Sequence, residues 1–168
     1  MVLTGAVHDA LRAIKTARIP GCAIACWQAG QTATFTHGMA DIGRARPVAP
    51  ATVFHLFSGT KLYTASALMR LVERGLVDLD APVTTYLREL QLRYPVTVRQ
   101  LASHSSGLPE TLTAFLAVHF QGAPLPSTAE ALSRYRTGSG RQPGTRVAYR
   151  NVNFAILGEL VTRVSGVP

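Results

Sequence analysis

The sequence predicts the α+β class: one helix, a β-hairpin, then a mostly helical remainder. Three observations carry this. Apolar residues recur at helical spacing through residues 2–18. Two short strand-like runs follow, joined by a tight connection. From Ser58 onward the apolar positions return at three- and four-residue steps, and strand-like alternation does not reappear. At 168 residues, 47% hydrophobic and 15% charged, the chain is long enough for one folded domain, 1–168, with a real core.

In the first helix Val7, Leu11 and Ile14 form one stripe, and Ile19-Pro20-Gly21 ends it. "CAIACWQ" and "TATFTHG" read as the two strands, with Ala29 to Gln31 between them. Residues 41–50 are rich in Gly, Pro and Arg and read as a loop. Leu62, Ala65, Met69, Val72 and Leu76 then mark a helix with one buried face, stopped at Gly75. Asp80-Ala81-Pro82 opens a short helix through Leu87. Thr97–Gln100 and Ser127–Glu130 each fit a capping box, so two more helices start there, and residues 109–121 also read as helical. Thr137 to Thr145 is a glycine-rich loop, and a last helix runs from about Val152 to Val164 with Phe154, Leu157, Val161 and Val164 on one face. A lone two-stranded hairpin is marginal in water, and its edges invite pairing. Either helices cover it or further strands belong to the fold.

The net charge is +8, and only two of the seventeen basic residues are lysines, Lys15 and Lys61. The arginines are spread out and no five-residue window is a basic run, so a nucleic-acid partner is not expected. Cys22 and Cys26 would share one face of a strand and have no second ligand pair nearby, so they read as buried structural thiols and not as a zinc site. No secretion signal opens the chain and no apolar run approaches the roughly 20 residues that span a bilayer. A cytoplasmic protein without membrane association is the expectation, or a periplasmic or secreted one if the N-terminus is truncated.

The chemistry centres on Ser58 and Lys61. A serine hydroxyl needs a base to become a nucleophile. Positions i and i+3 share a helix face, so Lys61 can reach Ser58. Apolar flanks (Phe54, Leu56, Phe57 and Leu62) would favour the neutral amine. The tetrad alone reads more simply as a capped helix with a solvated lysine. Downstream, Tyr149 and Asn151 place a phenol and an amide two residues apart just before the last helix. The phenol can shuttle a proton and the amide can meet a carbonyl group. Alone, this pair also reads as a packed tyrosine and a helix-capping asparagine.

Taken together, "FSGTKLYTASALMRLVERGLVDLDAPVTTYL", "TVRQLASHSSGLP" and "PGTRVAYRNVNFAILGELVTRVSG" resemble the serine beta-lactamase-related hydrolases: class C beta-lactamases, DD-peptidases and esterases of one fold. The resemblance runs from about residue 5 to the end. It implies a beta-lactamase/transpeptidase-like fold. It also implies that Ser58 is the acyl-forming nucleophile, that Lys61 assists its deprotonation and that Tyr149 is a general base or acid. Asn151 would hold Lys61 and the substrate. It implies a small-molecule ester or amide substrate and no cofactor or metal. His104, in "HSSGLP", matches a structural turn and reads as a capped, packed histidine and not as a catalytic one.

The family's third motif, Lys or His, a small residue and Gly, lies on a strand well after Tyr–x–Asn. Only 17 residues follow Asn151 here. Arg136-Thr137-Gly138 matches in letters but precedes Tyr149, so it reads as a coincidence. The resemblance is thus to an N-terminal portion whose C-terminal strands are missing. Two functions are open: acyl-enzyme hydrolysis of a beta-lactam, D-Ala peptide or carboxylic ester, or a catalytically inactive remnant that only binds. Losing one oxyanion donor costs about 10²–10³ in rate. Self-association through the open sheet edge is a further expectation.

Overall fold

The computed structural model describes residues 2–110 and 140–167, which form two compact units, one up to His55 and one from Leu56 on. The expected helix over 109–121, the Ser127 capping box, the Arg136-Thr137-Gly138 triplet and the start of the Gly-rich loop fall wholly or largely outside the described residues.

The first unit opens with helix α1, Val2–Thr16. Val7 is buried and Leu11 and Ile14 are half-buried, as their spacing predicts. The helix ends before Pro20: Arg18 takes φ 53°, and the amides of Arg18 and Ile19 bond back to Lys15 and Ile14. Strands β1, Gly21–Gln28, and β2, Gln31–Asp41, pair antiparallel with Gln28 opposite Gln31. The connection is therefore Ala29-Gly30, one residue shorter than the sequence suggests. Both residues have positive φ, 49° and 80°, the twist a two-residue hairpin turn needs.

The loop expected over 41–50 contains a third strand. Residues 42–45 turn back, and β3, Arg46–Pro47, pairs antiparallel with β2, giving the order β1-β2-β3. Two residues carry no strand periodicity, and a proline, lacking an N–H, fits at such an edge. Gly38 is indispensable to the path: it sits at φ 74°, and a Cβ there would collide with the Pro20 carbonyl oxygen. Cys22 and Cys26 are free and share the less exposed face of β1 with Ile24. They are half-buried, not buried as expected from their apolar run.

The second unit holds a continuous apolar core. A 3-10 turn, Phe57–Gly59, leads into α2, Thr60–Glu73. Gly75 closes α2 at φ 69°, with the Leu76 amide reaching back to Leu71. The buried face is not the one the periodicity picks. Leu68 and Leu71 are buried, Lys61, Thr64, Ala65 and Val72 are half-buried, and Leu62, Met69 and Leu76 are exposed. Apolar residues occur around most of this helix, so its own sequence does not single out the inward stripe.

The helix expected from Asp80 is only a 3-10 turn, Val83–Thr85, without a side-chain cap. Asp80 commits its carboxylate to a two-point ion pair with Arg99, at 2.7 and 2.8 Å. The chain beside it is zipped to residues 96–98 instead, through Val83 N–H to Val96 and Val98 N–H to Ala81. Helix α3, Val98–Ala102, starts at the expected capping box: Thr97 Oγ1 accepts from Gln100 N–H, and Gln100 Oε1 accepts from Thr97 N–H. Helix α4, Asn151–Ser165, buries Val152, Asn153, Ile156, Leu157 and Leu160. Phe154, Val161 and Val164 pack against that core from its margin. Leu68 and Leu71 of α2, Val98 and Leu101 of α3 and the buried apolar residues of α4 form one cluster. Among the described residues no helix is long and apolar enough to cross a membrane.

Ile156→Ala would leave a cavity at the centre of this cluster. It should lower stability by about 2–5 kcal/mol, read as a fall in the urea unfolding midpoint. Thr97→Ala removes one half of the capping box and should cost about 1 kcal/mol in the same measurement.

Candidate active site

Ser58 lies in the 3-10 turn that feeds α2, and Lys61 lies one turn further on, at the N-terminal end of the inward stripe. The residue before Ser58 is strained: Phe57 takes φ 46°, a conformation bulky residues rarely adopt. Backbone strain of this kind concentrates at functional sites.

Tyr149 and Asn151 arrive from the far end of the sequence. The Tyr149 hydroxyl is 2.7 Å from Ser58 Oγ. Lys61 Nζ donates to Asn151 Oδ1 at 2.8 Å and, more weakly, to Ser58 Oγ at 3.4 Å. The ammonium lies 4.8 Å from the centre of the Tyr149 ring and 5.8 Å from that of Phe154. All four residues singled out from the sequence therefore meet in one constellation. The apolar flanks do not: Phe54, Leu56, Phe57 and Leu62 are exposed, and the aromatic surroundings of Lys61 come from Tyr149 and Phe154.

The start of α4 explains how Asn151 is free for Lys61. It is not the capping residue; Arg150 is, and it offers no side-chain cap. The first amides of the helix are satisfied from elsewhere in the chain. Arg150 N–H donates to His104 Nδ1 at 3.2 Å, and Asn151 N–H donates to Glu110 Oε2 at 2.7 Å. Helix N-termini leave such donors unpaired, and a carboxylate there is favoured by the helix dipole. Sequence reasoning misses Glu110, because its partner lies 41 residues away and leaves no local signature.

The Tyr149 phenol is held below the ordinary tyrosine range, first by the Lys61 ammonium beside it and then by the Ser58 hydroxyl. A phenol lowered in this way loses its proton closer to neutral pH than a free tyrosine does. Tyr149 is 53% exposed and Ser58 is exposed, so the constellation is open to an approaching substrate. Separately, a cavity of about 330 Å³ lies beside the loop leading to Tyr149, lined by Gly107, Leu108, Arg141, Arg146 and Arg150 among others, and Ser58 and Lys61 do not line it. Among the described residues no group of three or more His, Cys, Asp or Glu could hold a metal ion.

The profile of the Beta-lactamase family matches residues 7–168. The chain belongs to the beta-lactamase family. It is 30% identical to a beta-lactamase of Escherichia coli K12 over 162 residues, 91% of this chain and 39% of that protein. The octameric penicillin-binding protein homologue of Pyrococcus abyssi superposes with a TM-score of 0.79 at 28% identity, covering 99% of this chain and 40% of that one. A class C beta-lactamase superposes with a TM-score of 0.73 at 23% identity, covering 94% and 42%, which shows a shared fold. The chain thus spans about two fifths of these relatives and has the beta-lactamase/transpeptidase-like α+β fold over that span.

Lys61→Met should raise the Tyr149 phenol midpoint, because its largest lowering influence is removed. The Cζ resonance of Tyr149 followed against pH would read this, and a midpoint that stayed in place would contradict the assignment of the cause.

Proposed function

We propose that this chain forms an acyl-enzyme through Ser58 on an ester or amide, the substrate being a beta-lactam, a D-Ala peptide or a carboxylic ester. The single observation that carries the reading is the 2.7 Å contact between Ser58 Oγ and a tyrosine hydroxyl flanked by a lysine ammonium. Membership of the beta-lactamase family supports serine-hydrolase chemistry in general terms.

The proposed steps start from the contacts among Ser58, Tyr149, Lys61 and Asn151. Tyr149 as phenolate takes the Ser58 proton while Oγ attacks the carbonyl carbon. Lys61 keeps the phenolate accessible and is itself oriented by Asn151. The Asn151 amide NH₂ is the donor a substrate carbonyl would meet. The backbone N–H of Ser58 would be one donor to the developing oxyanion. On collapse, Tyr149 returns its proton to the leaving nitrogen or oxygen, and the acyl group stays on Ser58 as an ester. Water then hydrolyses that ester, its proton passing through the same phenol. A second reading, a non-catalytic binding module, is favoured by the exposure of Ser58 and Tyr149.

Intact mass after incubation with a serine-directed acylating probe separates the two. One adduct should form, and Ser58→Ala should abolish it; a folded chain that gains no mass would favour the binding module. Tyr149→Phe should slow the acylation by about 10²–10⁴. The wild-type rate should rise with pH through the depressed phenol midpoint and level off above it.

A further inference from the structure

The half-buried His104 ring lies against two aromatic rings, 4.7 Å from that of Tyr149 and 5.2 Å from that of Phe154. His104 closes α3 at φ 57°, with its amide and that of Ser105 bonding back to Leu101 and Gln100. Glycine, and next asparagine, are the residues that take this left-handed position without strain. A histidine is held there instead, and it contacts the Tyr149 segment on three sides. The main-chain carbonyl of His104 accepts from Ala148 N–H at 2.8 Å, while its side chain makes the other two contacts: Nδ1 accepts from Arg150 N–H at 3.2 Å, and the ring lies 4.7 Å from the Tyr149 ring. The residues immediately before and after Tyr149 are therefore both fastened to one histidine.

A buried polar chain sets the state of that ring. Leu108 N–H donates to Ser106 Oγ at 3.2 Å. The Ser106 hydroxyl, buried, then donates to Asn153 Oδ1 at 2.7 Å. Asn153, wholly buried, is left with its NH₂ group toward His104 Nδ1, at 3.2 Å. Two donors, Asn153 Nδ2–H and Arg150 N–H, thus converge on Nδ1. Nδ1 must carry a lone pair, and an imidazolium would turn an acceptor into a third donor.

We propose that neutral His104, with its proton on Nε2, is the positioning residue that clamps Tyr149 against Ser58 and Lys61, and that protonation of His104 opens the clamp and shuts acylation off at acid pH. The acylation half rests on the acyl-transfer reading above; the clamp itself does not. Among the described residues the titratable and charged groups facing this ring are Lys61 from α2, Tyr149 ahead of α4, and Glu110. Burial, and then the Lys61 charge, hold its midpoint below the ordinary histidine range, against a smaller opposite pull from Glu110. The clamp is therefore closed above that depressed midpoint and lost below it.

The test uses the full chain, its His104→Ala and His104→Asn variants, and two readouts. Asparagine tolerates the backbone conformation and places an oxygen close to where Nδ1 stood, but does not titrate. The first readout is Tyr149 Cζ against pH, which needs no activity. The midpoint should move up toward that of free tyrosine in His104→Ala and return toward the wild-type value in His104→Asn. Nitrogen shifts of wild-type His104 should show a bare Nδ1 and a protonated Nε2 at neutral pH. The second readout is acylation rate by intact mass: His104→Ala should slow it about 100-fold, and His104→Asn should recover most of it and lose the lower, His104 step of the pH profile while keeping the rise through the Tyr149 midpoint. A protonated Nδ1, or an unmoved Tyr149 midpoint in folded His104→Ala, overturns the clamp. A lower step, below the Tyr149 rise, that persists in His104→Asn overturns the switch. A wild-type chain that is never acylated, yet shows the expected Tyr149 and His104 behaviour, would sink the acyl-transfer reading and leave the clamp standing.

Discussion

The packing of α2 against α4 is the constraint on which the site depends. Lys61 and Asn151 are separated by 90 residues and meet at 2.8 Å because the two helices share one apolar interface. Leu68 and Leu71 on one side and Ile156, Leu157 and Leu160 on the other fix both the distance and the rotation of the helices. A hydrogen bond between two long or exposed side chains would by itself be worth little. Here it is the end point of a buried seam, so its geometry is set by side chains that do no chemistry.

The start of α4 divides its work in a similar way. An asparagine at that place in a sequence would ordinarily satisfy the helix's own unpaired amides. Those amides are instead met by His104 and Glu110, from the segment after α3. That segment also runs alongside the Tyr149 loop through Gly107 to Arg141 and Ser105 to Gly144 backbone bonds. Capping in trans releases the Asn151 side chain to hold Lys61, and it ties the loop to α3 and hence to the core. Structural support and chemical function are thus divided between neighbouring residues.

The same division decides how much is legible in the sequence. Ser58, Lys61, Tyr149 and Asn151 are legible because their types and spacings are chemical, and two of them share one helical turn. The capping box at Thr97 and the stops at Gly75 and Pro20 are legible because each is local. The inward face of α2 is not, since Leu62, Met69 and Leu76 are as apolar as Leu68 and Leu71 and only the partner helix distinguishes them. Where a helix is expected after Asp80, the Asp80 carboxylate is paired with Arg99, 19 residues away, and the chain bonds to residues 96–98, none of which is local. β3 is too short to show a period. His104 is legible as a packed histidine, but its three contacts on the Tyr149 segment are 44 to 46 positions distant and have no sequence signature.

The place of Lys61 on the inward stripe also constrains the length of α2. The stripe Lys61, Thr64, Leu68, Leu71 gives the amine and the core one shared phase on α2. Each residue inserted into or deleted from a helix rotates the preceding turns by about 100° relative to the later ones. A length change between Lys61 and Leu68 would swing the amine away from Ser58, Tyr149 and Asn151 even if every apolar contact were regained. Substitutions along this helix can leave the amine in place, whereas a change in its length between Lys61 and Leu68 would not.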